Sequence, residues 1–135
     1  MIGLRRPYLT GLVTAVSLAC GGGGDITEPP PPDPGPVNLI FTTVNADDGI
    51  ALLSISGGEV TTVQQAGFEL LATAAGSSPV RILVRGALTS GVVATLILPD
   101  RRRLSDYTVQ VEQVAARPSY VQHPPQGYSA VLVHP

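Results

Sequence analysis

Lysine and tryptophan are missing from this chain, and cysteine occurs once, at position 20. All eight basic residues are arginine and stand against ten acidic ones. A surface that binds nucleic acid needs clustered positive charge to displace counterions from phosphates, so no nucleic-acid partner is expected. A single cysteine excludes an intrachain disulfide and any cysteine-rich zinc module, which leaves packing to supply the stability. Aromatic residues make up only 4% of the chain, and a sugar-stacking platform would have to be assembled from Tyr107, Tyr120 and Tyr128. No apolar run reaches the roughly 20 residues that a helix needs to cross a bilayer.

What is there is apolar enough to fold. Hydrophobic residues are 44% of the chain, charged residues 13%, and the mean hydropathy is +0.27, values outside the range of disordered chains. Arg5 and Arg6 precede an apolar stretch over residues 8–18, which ends at Ala19, Cys20 and four glycines. A positive start, a short apolar run and a small residue before the cut form the three-part pattern of a secretory signal peptide. Removal of residues 1–19 leaves six arginines against ten acidic residues, a net charge of −4.

Ser17-Leu18-Ala19-Cys20 resembles the lipobox of bacterial lipoproteins. The resemblance implies that the Cys20 thiolate takes a diacylglyceryl group, that the Ala19–Cys20 bond is cut, and that the new amine is acylated, commonly with palmitate. Ser17 stands where that family prefers an aliphatic residue. The same three residues, 17–19, also satisfy the small-x-small rule of ordinary secretory cleavage, which would leave Cys20 a free thiol. Each buried methylene of an acyl chain contributes ~0.8 kcal/mol, so two or three chains hold a protein on a membrane almost permanently. Gly21 follows the cysteine where Asp would retain a lipoprotein at the inner membrane, so the resemblance favours the outer membrane of a two-membrane cell.

Residues 20–36 read as a tether. Gly21 to Gly24 have no side chains to order them, whereas the proline-rich stretch 29–36 favours polyproline II. At ~3.1 Å per residue, 28–36 would span roughly 28 Å as a semi-rigid spacer. Residues 37–135 then form one domain. Short β-type runs over 37–44, 50–56, 59–64, 68–74, 80–85, 92–98, 107–114 and 128–134 are separated by turn residues, the pattern of an all-β antiparallel sandwich of about eight strands. Ile82 and Val84 alternate with Arg81, Leu83 and Arg85. Gly57-Gly58 suits a two-residue hairpin between the second and third runs. Residues 108–116 also fit helical spacing, so strand and helix both stay open there. Asp48-Gly49-Ile50-Ala51-Leu52-Leu53-Ser54-Ile55, Arg81-Ile82-Leu83-Val84 and Gly91-Val92-Val93-Ala94-Thr95-Leu96-Ile97-Leu98 resemble successive strands of cohesins. That resemblance implies a jelly-roll or immunoglobulin-like sandwich with an adhesive role, and no binding residue is carried over with it.

Chemistry-bearing residues are few. Asp47 and Asp48 offer the hard oxygens that calcium requires, but without a spaced ligand set Asp-Asp-Gly reads as a turn. His123 and His134 are the only histidines, and no Gly-x-Ser-x-Gly accompanies them, so neither a nucleophilic triad nor a zinc site is expected. Arg101, Arg102 and Arg103 could contact anionic headgroups, glycans or an acidic partner, with Tyr107 and Tyr128 as further contacts. The simpler expectation is a solvated loop balanced by Asp100 and Asp106. The sequence therefore predicts a non-catalytic, cofactor-free sandwich, anchored to membrane lipid through acylated Cys20, that meets an envelope protein. A carbohydrate-binding module on the same fold is the alternative, followed by an accessory domain of an envelope enzyme.

Overall fold

A computed structural model describes residues 27–135. The leader, the Ala19–Cys20 cleavage site and the expected acylation of Cys20 lie outside the described residues. Nine strands follow in chain order: β1 (Gly35–Thr42), β2 (Asp48–Ser56), β3 (Thr62–Gln65), β4 (Glu69–Ala72), β5 (Val80–Arg85), β6 (Gly91–Leu98), β7 (Thr108–Ala116), β8 (Gln122–His123) and β9 (Ser129–Val133). A 3-10 segment, Arg101–Asp106, joins β6 to β7. The strands form two antiparallel sheets, ordered β3-β6-β1-β9 and β4-β5-β2-β7-β8, packed face to face as a β-sandwich.

Period-two alternation builds the core. Val37, Leu39 and Phe41 of β1 meet Ala51, Leu53 and Ile55 of β2 and Val80, Ile82 and Val84 of β5, all nearly inaccessible to water. Arg81 and Arg85 point outward, as the alternation requires. Residues 108–116 settle as strand, because β7 pairs along the whole length of β2 and buries Val114.

Where the sequence suggests a hairpin at Gly57-Gly58, the chain instead changes sheets. β2 lies in the five-stranded sheet and β3 pairs with β6 in the other. Gly57 still adopts a positive φ of 98°, but the turn sends Val60 into the core, and the Thr61 amide donates to the Ile97 carbonyl at 2.8 Å. Burial of Val60 outweighs the local hairpin signal. The first strand also starts at Gly35, two residues earlier than expected, and β8 is a short strand that the sequence did not announce.

Three bulges adjust the alternation, one of them on β7, where Glu112 is the extra residue between Leu52↔Gln113 and Leu53↔Val111. Between Leu39 and Ile40 the register with β6 slips past Val93, so that Val93 and Ala94 are both buried. On β2 the register with β7 runs from Asp48↔Ala116 to Ile50↔Ala115, which makes Gly49 the extra residue. Inward positions on β2 are otherwise odd-numbered, and the bulge turns Asp48 inward, where it is 1% exposed. An added Cβ at 49 would lie 1.8 Å from Cγ of Arg117, so any side chain there requires Arg117 to move.

Candidate functional site

The strand order sorts the loops to two ends, separated by the length of β2, about 26 Å at ~3.3 Å per residue. The near end, where the chain enters β1, carries residues 57–61, 73–79 and 99–107. The far end carries residues 43–47, 66–68, 86–90 and 117–128.

At the near end two of the three arginines, Arg101 and Arg102, hold the proline segment. The Arg101 amide donates to the Asp33 carbonyl at 2.8 Å and its guanidinium to Asp33 Oδ2 at 2.9 Å. Arg102 donates to the carbonyls of Pro30, at 3.3 Å, and Pro31. Prolines lack an N–H but keep a carbonyl, so a polyproline stretch presents acceptors only, and guanidinium groups are suitable donors. Asp100 accepts from the Asp33 amide at 3.3 Å, caps the 3-10 segment by accepting from the Arg102 amide, and pairs with the Arg102 guanidinium at 3.0 Å. Arg103 pairs with Asp106 at 2.8 Å. The expected balance of the arginines by Asp100 and Asp106 is present, and Asp33 joins it.

Arg103 and Tyr107 share a groove of about 330 Å³ with Pro32, Gly58, Glu59 and Asp100. The Tyr107 hydroxyl donates to the Glu59 carbonyl at 2.5 Å, and burial pushes its pKa up. Tyr128 lies at the far end, 9% exposed and stacked on Phe41 with ring centroids 5.8 Å apart. Tyr107 and Tyr128 therefore cannot meet one ligand, and Tyr128 serves the core, the common role of tyrosine at a strand start. Tyr120 stands exposed in the far-end loop.

The far end brings together residues that sequence reasoning kept apart. Asp48 is buried by the bulge, and its Oδ1 accepts from the Tyr128 hydroxyl at 2.8 Å while Oδ2 accepts from Thr43. Asn45 Nδ2 donates to the Tyr128 oxygen at 2.6 Å. Burial, followed by the hydrogen bond to Asp48, raises the Tyr128 pKa, against the lowering effect of Asn45, and keeps the phenol a donor. β8 carries His123 to this cluster: Nε2 lies 3.3 Å from Asp47 Oδ1 and 3.7 Å from Asp48 Oδ1. The Asp47 carbonyl accepts from the Arg117 amide at 2.7 Å, which ties the two loops together. Among the described residues, Asp47, Asp48 and His123 are the one group of three His, Cys, Asp or Glu side chains whose ligand atoms all lie within 4.8 Å of one another. His134 follows β9, which ends opposite Asn38 in the middle of β1, and lies away from this cluster.

Neither local spacing nor composition reveals this cluster, because a two-residue edge strand delivers His123. The only local signal was Asp-Asp-Gly, which is at once a turn and the start of a bulged strand. No family model, curated protein or solved structure matches the chain. Among the described residues no helix is long and apolar enough to cross a membrane.

Proposed function

We propose that the chain is a lipid-anchored protein of the bacterial cell envelope, held through acylated Cys20, whose sandwich is displayed for contact with another envelope protein rather than for catalysis. The lipobox resemblance supplies the anchor. The observation that carries the display role is the docking of residues 30–33 on one end of the sandwich. With the tether fixed there, an anchor upstream leaves from the near end and the far-end loops face away from the bilayer. On the outer face of the four-stranded sheet, Val92, Ile40 and Val131 stand in register across β6, β1 and β9, and Val92 and Val131 are 37% and 51% exposed. Such a row suits a protein contact.

Intact-mass measurement of the membrane fraction tests the anchor. The expected species begins at Cys20 and carries diacylglyceryl and acyl groups, and Cys20→Ala abolishes the lipidated species. A secreted form that begins with an unmodified Cys20 thiol sinks the reading. The glycan-binding alternative draws on the Tyr107–Arg103 groove. It replaces the protein-contact role if polysaccharide binding is saturable and lost in Tyr107→Ala.

A further inference from the structure

The far-end cluster has the composition and spacing of a metal site. Two carboxylates converge there, one of them wholly buried, and among the described residues no arginine is paired with either. A buried charge needs a partner. The group that faces both is His123, whose Nε2 is buried and has no hydrogen-bond partner. We propose that Asp47, Asp48 and His123 bind one divalent transition-metal ion, with Zn²⁺ the best match.

Geometry supports this first. Four ligands at ~2.0 Å around a tetrahedral ion stand about 3.3 Å apart. The Nε2 to carboxylate separations of 3.3 and 3.7 Å are close to that edge and all three donor atoms lie within 4.8 Å of one another, so side-chain adjustments of about an ångström bring them to one centre. Donor chemistry then selects the ion. Calcium takes six to eight oxygens, and three donors of which one is imidazole nitrogen serve it poorly. Mixed nitrogen and oxygen donors suit first-row transition metals, among which zinc accepts three protein ligands and leaves a fourth position to solvent. Asp47, with a side chain 56% exposed, opens the cluster on that side.

The surroundings are those of a supported site. A ligating carboxylate is normally oriented by further hydrogen bonds. Asp48 has two, from Tyr128 and Thr43, and Asn45 fixes Tyr128 in turn. A carboxylate oxygen has two lone pairs, so Asp48 Oδ1 can hold the phenol and the ion together. The ion would tie β8, anchored by the pairs Val114↔His123 and Ala115↔Gln122, to the start of β2. This inference is independent of the lipid anchor.

The test is calorimetric titration of the full chain carrying Cys20→Ser, so that the thiol cannot ligate, with Zn²⁺ and separately with Ca²⁺. The expected result is saturable uptake of one Zn²⁺ and no measurable Ca²⁺ binding, with a tetrahedral visible spectrum when Co²⁺ is substituted. His123→Gln and Asp47→Asn each weaken uptake by at least about 100-fold, Tyr128→Phe by about 10- to 100-fold, and His134→Gln leaves it unchanged. Circular dichroism identifies variants that remain folded; because Asp47 is exposed, Asp47→Asn serves if His123→Gln does not fold. Absence of saturable Zn²⁺ uptake by the folded protein overturns the proposal. So does uptake that survives both Asp47→Asn and His123→Gln, or Ca²⁺ binding as tight as Zn²⁺.

Discussion

At the near end of the sandwich, charge is paired on the surface: Arg101 with Asp33, Arg102 with Asp100 and Arg103 with Asp106. At the far end a carboxylate is buried and answered by a phenol, a threonine hydroxyl and an imidazole. The same types of group thus face two different solvents. Surface pairs are screened and each contributes ~0–1 kcal/mol, whereas removal of one member of a buried polar network leaves the others unsatisfied. The near end therefore holds the tether through contacts that are individually weak, while the far end is built to keep the 43–47 and 117–128 loops in one arrangement.

The largest effects should come from a charge at one end and a methyl group at the other. Asp48→Ala strands the Tyr128 and Thr43 donors in a buried site and should cost about 2–4 kcal/mol. Arg101→Ala, which breaks a partly exposed pair, should cost no more than about 1 kcal/mol. Gly57→Ala shows what the near end does depend on. Its φ of 98° is unfavourable for any side chain, and the added Cβ would lie 1.9 Å from the Asp106 carbonyl oxygen, a backbone atom that no rotamer change can move. At least ~2 kcal/mol should be lost there. Urea unfolding of the three variants checks the order, and the comparison breaks if Asp48→Ala is no more costly than Arg101→Ala.

Acid should separate the tether from the body of the near end. The Arg102 guanidinium, helped by backbone amides of Asp33 and Arg102 and opposed by burial, lowers the Asp100 carboxyl pKa to about 2. A folded-state value below the unfolded one means that the stabilisation is complete above the ordinary aspartate value near ~3.9 and is lost as pH falls toward the folded value. The amide resonances of Asp33 and Arg102, both of which donate to Asp100 Oδ1, should shift between about pH 4 and pH 2. Asp100→Asn keeps an oxygen for the cap but cannot ionise, and should remove that transition. A transition that persists in Asp100→Asn assigns it to another carboxylate.

Sequence legibility also differed between the ends and the body. The body was readable because alternation is a local property, clean enough at Val80–Arg85 to assign both faces. The Gly57-Gly58 dipeptide carries a local hairpin signal, but the destination of the turn depends on Val60, whose place in the core is a tertiary fact. The tether's docking depends on Arg102 meeting the Pro30 and Pro31 carbonyls, distant in sequence, and polyproline composition describes stiffness without naming a partner. At the far end, one bulge at Gly49 reverses the side to which Asp48 points, and the Arg117 side chain that occupies the space beside that glycine is distant in sequence. A period-two reading of residues 48–56 passes over it.

The smallest effect concerns how His123 is delivered. Tyr120 turns the chain from β7 toward β8 with φ of 57°, its amide donating to the Ala116 carbonyl at 3.0 Å, while its side chain is 64% exposed. If the backbone turn rather than the ring positions β8, Tyr120→Gly should change stability by no more than about 0.5 kcal/mol, since relief of the left-handed conformation is offset by the extra freedom of glycine in the unfolded chain. A β-branched side chain tolerates that φ worst, so Tyr120→Val should cost about 1 kcal/mol. Zn²⁺ titration of both variants reports on the loop itself: unchanged affinity in Tyr120→Gly with weakened affinity in Tyr120→Val places the control of His123 in the turn. Weakening in both would instead make the exposed ring a contact that the far end needs.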